Sequence, residues 1–151
     1  MSTDAFSVCL VEHDHSGDNL CTWSYPGVST TLQAICTERS SAHRGYNSFH
    51  YLKYKNDWVY VLNSKKLSDV LPDINFVSLC LITRNFHPEK YARCLKALME
   101  QFEKGGDPTK ILEGFLSIHA TGSFGGYSAA EFEPNSAWLG VSAMKEIVHT
   151  Y

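Results

Sequence analysis

The sequence predicts an α/β fold in which a five-stranded sheet has helices on both faces. Residues 5–14 and 74–83 carry apolar side chains at nearly every position, which is typical of central strands buried on both faces. One helical pattern follows the second predicted strand and two more follow the fifth. Helices are therefore available to cover each face of the sheet.

The composition is that of one globular domain. The chain has 151 residues, 44% hydrophobic and 19% charged, which is enough apolar material for one core. The formal net charge of −3 provides no basic field, so nucleic acid and anionic membrane surfaces are disfavoured as partners, though not excluded. The sequence has no secretory signal and no apolar run near the roughly 18 residues of a membrane span. We therefore expect a cytoplasmic protein without direct membrane insertion.

The first two strands are predicted to form a hairpin. Residues 13–18 cluster turn formers around Gly17, and an alternating stretch follows at 19–25. Pro26 ends this second strand because proline cannot donate a hydrogen bond to a ladder. The side chains predicted to share one face of the second strand are Cys21, Trp23 and Tyr25.

A helix is predicted over about residues 29–39. Ser29 or Thr30 can serve as its N-cap, and the polar stretch at 40–47 indicates a loop after it. The apolar side chains at helical spacing are Val28, Leu32, Ile35 and Cys36.

Residues 48–55 and 57–64 predict a second hairpin. Both segments are rich in aromatic and β-branched side chains, and their junction at residues 55–57 has the length and chemistry of a tight turn. The residues predicted to pin the next connection, 65–73, to the body are Leu67, Val70 and Leu71.

Two helices are predicted after the fifth strand. The first begins at the His-Pro pair 87–88 and ends at the Gly-Gly pair 105–106, and the second begins at the Asp-Pro pair 107–108. The inward stripe of the first is predicted at Tyr91, Cys94, Leu95, Leu98, Met99 and Phe102, and that of the second at Ile111, Leu112, Phe115, Leu116 and Ile118.

A last helix is predicted over residues 136–151, after a Gly-rich loop at 121–135. Ser136 can cap it, and its apolar stripe requires cover from this domain, from a second copy or from further chain. A homodimer through this helix is one way to provide that cover. The stripe is predicted at Leu139, Ala143, Met144, Ile147 and Val148.

The cysteines are predicted to be reduced core residues. Their number is odd, they form no C-x-x-C pair, and four of them lie within apolar patterns. Reduced thiols are typical of the cytosol. The five are Cys9, Cys21, Cys36, Cys80 and Cys94.

One short segment concentrates residue types that bind metals. Alternate residues at a strand end point to opposite faces, and zinc sites usually take ligands from separate elements. We therefore interpret the segment as a solvated hairpin turn and predict no metal. The residues are Glu12, His13, Asp14, His15 and Asp18.

Motifs for nucleophilic catalysis or phosphate binding are weak. The stretch "TGSFGG" at 121–126 has neither the G-x-S-x-G spacing nor the lysine of a phosphate loop. A small hydrolase that uses Ser123 or a cysteine with a histidine is thus disfavoured. Aromatic and lysine residues alternate in 50–58 and could stack nucleobases, but hairpin packing is favoured without a basic surplus. We predict no catalytic, cofactor-binding or metal residue and no cofactor.

Three stretches, residues 9–33, 85–122 and 136–151, together resemble a known family. Their most specific parts are W-x-Y-P at 23–26, F-x-P-E-K-Y-A at 86–92 and an S-x-x-K-E-I-V run at 142–148. In order and spacing they resemble the amino-terminal part of small DENN domain-containing proteins of the family-with-sequence-similarity forty-five type. The resemblance covers almost the whole chain.

This resemblance implies a longin-like upstream DENN domain. Such a domain has a mixed, mainly antiparallel five-stranded sheet with one helix on one face and two on the other. The implied boundaries are residues 1–135 for the longin-like domain and 136–151 for a helix that leads toward a central DENN domain.

The resemblance also implies a function without catalytic residues. DENN proteins resemble one another in promoting GDP release from Rab GTPases, with the Rab held between the longin lobe and the central DENN segment. The implied partners are therefore a Rab-family GTPase and the central segment of the same chain, and the implied location is the cytoplasmic surface of endosomes. This lobe is not expected to be an enzyme by itself. The alternative is a longin scaffold in trafficking without nucleotide exchange.

The corner at residues 23–26 is predicted to be structural. Cys21, Trp23 and Tyr25 are expected to pack beneath the first helix, while Pro26 and Gly27 turn the chain onto the sheet. Replacing a buried Trp23 by Ala would then cost about 3–5 kcal/mol of stability.

Overall fold

The computed structural model describes residues 5–42, 48–64, 73–121 and 144–146 of the chain. The predicted α/β class is confirmed. In chain order the elements are β1 (Ala5–Asp14), β2 (Asn19–Tyr25), α1 (Thr30–Ala42), β3 (Phe49–Tyr54), β4 (Asp57–Asn63), β5 (Ile74–Thr83), α2 (Pro88–Glu103), α3 (Pro108–Thr121) and β6 (Met144–Glu146).

The first five strands form an open antiparallel sheet in the order β2-β1-β5-β4-β3. The two strands with nearly continuous apolar sequence, β1 and β5, lie side by side in its interior. Helices cover both sides of these strands, and this is why side chains of both orientations are apolar. The arrangement is consistent with a longin-like fold.

The core has two parts, one on each face of the sheet. Helices α2 and α3 pack on one side, which we call the α2–α3 face, and α1 packs on the other, the α1 face. The expected division of one helix against two is confirmed. The α2–α3 face includes Val8, Leu10, Tyr60, Leu79, Leu95 and Phe115, and the α1 face includes Cys9, Val11, Cys36, Val61 and Cys80.

The predicted last helix is wrong at Met144–Glu146. These residues form the short strand β6, which pairs in parallel with Phe49–Tyr51 of β3. Strand pairing satisfies backbone groups that an edge strand would leave open, and the helical spacing of a few apolar residues does not reveal such pairing. The homodimer predicted through that helix stays a prediction. Residues 144–146 cannot contribute to a helical stripe in it, because they form a strand. The connection 65–72 and the loop 122–135 lie outside the described residues.

A β-bulge in β2 corrects the predicted orientation of its side chains. Leu10 of β1 pairs with Trp23, but the next residue, Val11, pairs with Cys21, so Thr22 is an extra residue. A bulge reverses the alternation on either side of it. Cys21 therefore packs on the α1 face as predicted, whereas Trp23 packs on the α2–α3 face. The Tyr25 ring meets Phe115 of α3 edge-on at 6.0 Å.

Helix ends follow the predicted capping residues. The hydroxyl of Ser29 accepts a hydrogen bond from the backbone N–H of Leu32 at 3.2 Å, and the carboxylate of Asp107 accepts one from Thr109 at 2.9 Å. Helix α1 continues three residues beyond the predicted end at 39. The hydroxyl of the buried Ser40 bonds to a carbonyl one turn back, so the polar stretch stays helical.

The inward stripe of α3 is narrower than predicted. Ile111, Phe115 and Ile118 are buried, but the side chain of Leu116 is 46% exposed. The three buried positions are spaced by four and three residues and share one face, whereas residue 116 lies about 100° around the helix from residue 115.

Across the described residues, no helix is both long and apolar enough to span a membrane.

Candidate protein-interaction surface

The segment with metal-binding residue types builds the β1–β2 turn. The carboxylate of Asp14 accepts hydrogen bonds from the backbone N–H of Ser16 at 3.0 Å and of Asp18 at 2.9 Å. Bonds from Ser16 and from these backbone groups lower the pKa of Asp14. His13 is buried rather than solvated, and its ring stacks on Phe76 at 4.1 Å. No set of three His, Cys, Asp or Glu side chains within the described ranges is arranged to hold a metal ion.

His13 belongs to a buried polar network that crosses three strands. Its Nε2 lies 2.9 Å from the hydroxyl of Ser78, which donates to Oδ1 of Asn63. The amide nitrogen of Asn63 donates to the hydroxyl of Ser48 at 3.1 Å, which fixes the orientation of the amide. The Ser78 proton is thus directed at Asn63, while Nδ1 of the His13 ring faces Oδ1 of Asn19. This arrangement satisfies buried polar groups and does not activate Ser78 as a nucleophile.

The cysteines are reduced, as predicted. All five are free thiols, and only Cys21 is less than fully buried. Burial raises the pKa of Cys94 to about 12, and a hydrogen bond with Cys9, together with burial, raises the pKa of Cys21. Such thiols stay protonated near neutral pH, because at Cys94 the effect of burial outweighs the opposing effect of the nearby Lys90 and Arg93. Ser123, the other candidate nucleophile, lies outside the described residues.

The aromatic and lysine residues of 50–58 pack as a hairpin, as predicted. His50 and Tyr51 are buried, and Lys53 lies opposite Trp58 on the α2–α3 face with its Nζ 5.8 Å from the ring centroid. Tyr54 packs against the core on the α1 face instead. The strand alternation therefore divides these side chains between two faces of the sheet.

An aromatic cluster with one exposed member, Phe86, lies at the end of the sheet where the β3–β4 turn meets the β5–α2 loop. The side chain of Phe86 is 48% exposed, and its ring lies 4.5 Å from Trp58 and 5.6 Å from Tyr51. We call Tyr51, Lys53, Trp58 and Phe86 the Phe86 platform. Its polar member, Lys53, lies over the Trp58 ring.

A buried hydroxyl fixes the loop that carries Phe86. The Tyr60 hydroxyl donates to the carbonyl of Asn85 at 2.8 Å and accepts from the backbone N–H of His87 at 2.9 Å. Burial raises the pKa of Tyr60, which keeps this hydroxyl protonated. The Tyr60 ring also packs on Tyr91 of α2 at 4.9 Å. Backbone on both sides of Phe86 is thus tied to the core.

Further exposed apolar side chains lie on β2 and on α3. Leu20 and Tyr25 of the edge strand β2 are 65% and 40% exposed, and Leu116 of α3 is 46% exposed. Trp23, between the two β2 residues, is half-buried against the core. The predicted corner is therefore structural at Trp23, while Tyr25 is partly exposed and partly packed on Phe115.

Sequence reasoning identified the segment around Phe86 but not its role at the surface. From the sequence alone, Phe86 is only the first position of the F-x-P-E-K-Y-A run. Tyr60 was predicted as one strand residue among many. A hydroxyl that ties together a strand and a loop 25 residues apart has no local sequence pattern.

Comparison with known proteins supports a DENN relationship along nearly the whole chain. No protein-family model matches. Human DENN domain-containing protein 10 is 26% identical over 153 residues, covering 95% of this chain and 43% of the human protein. The mouse protein of the same name is 27% identical with the same coverage, and that of Dictyostelium discoideum is 24% identical, covering 96% of this chain and 46% of its own. The chain spans less than half the length of these homologues, which is consistent with an amino-terminal DENN fragment.

Proposed function

We propose that this chain is the longin lobe of a DENN-type exchange factor or regulator of a Rab GTPase, acting by protein–protein binding in endosomal trafficking. The observation that supports this most strongly is similarity to DENN domain-containing proteins over 95% of the chain. The five-stranded sheet with one helix against two is the arrangement expected of such a lobe.

Nucleotide exchange of this kind requires shape rather than reactive groups. A GTPase holds its nucleotide through phosphate contacts, Mg²⁺ and ordered switch loops. A partner that binds the nucleotide-free state more tightly weakens nucleotide binding by the same coupling free energy. About 4 kcal/mol of such coupling gives roughly a thousandfold effect. Within this proposal the chain contributes one side of the binding surface, at the cytoplasmic face of endosomes, and the central DENN segment contributes the other.

The decisive experiment measures release of fluorescent GDP from a panel of purified Rab GTPases. The 151-residue chain is compared with the complete gene product that carries it. We expect the chain alone to accelerate release less than about twofold, and the complete product to accelerate it at least about tenfold for one late-endosomal Rab. Strong acceleration by the chain alone would contradict the proposal that it forms only one side of the binding surface.

The alternative is a longin scaffold in trafficking without nucleotide exchange. It is favoured if the complete product binds a Rab stably but leaves GDP release unchanged for every member of the panel. A broad serine- or cysteine-reactive probe tests the disfavoured hydrolase in the same preparation, and stoichiometric labelling of the folded protein would support it.

A further inference from the structure

Four of the five cysteines meet on the α1 face of the sheet. Cys9 of β1 and Cys80 of β5 lie directly opposite each other, and Cys36 of α1 packs in the same cluster. Cys21 of β2 packs against this cluster. The fifth cysteine, Cys94, lies on the α2–α3 face. The α1 face is therefore the part of the described core where one thiol can react with another.

The four thiols form a row that reaches the surface. Hydrogen bonds join Cys21 to Cys9, Cys9 to Cys36 and Cys36 to Cys80. Cys9, Cys36 and Cys80 are buried, whereas Cys21 is half-buried. A reagent dissolved in water can therefore enter the row at Cys21, and the next thiol in the row is Cys9.

We propose that Cys21 and Cys9 form a thiol pair that a small-molecule disulfide, such as glutathione disulfide, oxidises to a reversible disulfide within the chain. This inference does not depend on the proposed function, since it requires neither a GTPase nor nucleotide exchange.

The reaction consists of two thiol–disulfide exchanges. The Cys21 sulfur loses its proton and attacks glutathione disulfide, so that a bond from Cys21 to one glutathione forms and the other glutathione leaves as a thiolate that takes up a proton. The Cys9 sulfur then loses its proton and attacks the sulfur of Cys21, and the second glutathione leaves in the same way. Two protons and two electrons pass from the two thiols to glutathione disulfide, which becomes two molecules of glutathione. Excess thiol reverses both steps.

The strand register allows this pair. Val11 lies opposite Cys21, so Cys9 is its diagonal neighbour on the same face of the sheet. Diagonal pairs lie near the upper limit of Cα separation for a disulfide. Strand β2 is at the end of the strand order and pairs only with β1 there, so its backbone can adjust to that spacing. Within the described ranges no three Cys, His, Asp or Glu side chains are arranged to hold a metal ion, which favours a reaction between two thiols over metal binding.

The surroundings keep the pair reduced and make its oxidation slow. The hydrogen bond with Cys9, together with burial, raises the pKa of Cys21. Because the thiolate is the form that attacks a disulfide, the exchange should be slow at neutral pH and become faster as the pH rises. The product carries no charge, so the apolar α1 face can hold it without the desolvation cost of a thiolate.

The experiment treats the folded 151-residue chain with an excess of glutathione disulfide at about pH 8.5. Remaining thiols are then alkylated, and the product is analysed by intact mass and by peptide mapping without reduction. We expect one chain to lose two hydrogens, the peptides of Cys9 and Cys21 to be joined, and dithiothreitol to restore both thiols. The attached glutathione should be a minor species, because the second step consumes it.

Three variants assign the two roles. Cys21→Ser should remove the reaction. Cys9→Ala should stop it after the first step, so that glutathione attached to Cys21 accumulates at least about tenfold above its level in the unsubstituted chain. Cys36→Ala is the matched control, because it removes a buried thiol of the same row, and it should change the rate of disulfide formation less than about threefold. Circular dichroism reports whether each variant is folded, and Cys9→Val replaces Cys9→Ala if the smaller side chain prevents folding.

Several results would overturn the proposal. These are the absence of any oxidised product, a glutathione adduct on Cys21 that persists in the unsubstituted chain, and a bond from Cys21 to any thiol other than Cys9. Formation of the same product at the same rate in the folded Cys9→Ala chain would equally reject it.

Discussion

Replacing Tyr60 by Phe should lower the free energy of unfolding by about 1–2 kcal/mol. The ring and its packing on Tyr91 are retained, and only the hydroxyl is lost. That hydroxyl makes two hydrogen bonds, at 2.8 Å to Asn85 and at 2.9 Å from His87. Each is worth about 0.5–1.5 kcal/mol net. His87 is exposed, so water can replace its bond, whereas Asn85 is half-buried and its carbonyl loses more.

Urea unfolding followed by circular dichroism measures this change. With a slope of about 2 kcal/mol per molar urea, the midpoint should fall by about 0.5–1 M while the slope stays constant. Tyr25→Phe is the matched control, because Tyr25 is 40% exposed and loss of a surface hydroxyl should stay within about 0.5 kcal/mol. Hydrogen exchange at the His87 amide should accelerate in Tyr60→Phe alone.

An unchanged midpoint in Tyr60→Phe would refute this reasoning. It would show that the hydroxyl does not restrain the β5–α2 loop, so the backbone on the two sides of Phe86 would not be tied to the core. A fall in the midpoint without faster exchange at His87 would also contradict it, because the lost stability would then come from the core and not from the loop.

Three further predictions concern the core, the thiols and a helix cap. Trp23→Ala should lower the free energy of unfolding by about 2–3 kcal/mol, less than the loss of a fully buried tryptophan, and should lower Tm by about 4–12 °C in a thermal scan. An unchanged Tm would place Trp23 outside the core. Cys94, with its pKa raised to about 12, should react with a thiol reagent at pH 8 only after unfolding, and Cys21 should react first in the folded chain; rapid labelling of Cys94 would contradict its burial. Hydrogen bonds from Thr109 lower the pKa of Asp107, so the stability that its charged form contributes should be present above the usual aspartate pKa and be lost as the pH falls through the lowered value. Asp107→Asn should remove this acid-dependent part of the stability, measured as urea midpoints at about pH 2–6. Parallel pH profiles for the two proteins would refute the prediction.

The sequence predicted the elements whose causes are local. The bounds of β5 were predicted as 74–83, as the structure has them, because nearly every position in that stretch is apolar. The capping roles of Ser29 and Asp107 follow from side-chain oxygens that reach backbone donors two or three residues away. The bulge at Thr22 depends on pairing between β1 and β2, and alternation along one strand does not indicate it. The strand β6 depends on β3, about a hundred residues earlier in the chain.

The exposed position of Phe86 was also hard to predict from the sequence, because it depends on residues that lie far from it in the chain. Phe86 lies in a short stretch between a strand and a helix, where an apolar residue can be buried or exposed. Its exposure is decided by Tyr60, which holds the backbone of the loop, and by Trp58, which fills the space beneath it. Chemical motifs could be weighed on spacing alone, but a protein-binding surface is defined by what the rest of the fold leaves uncovered.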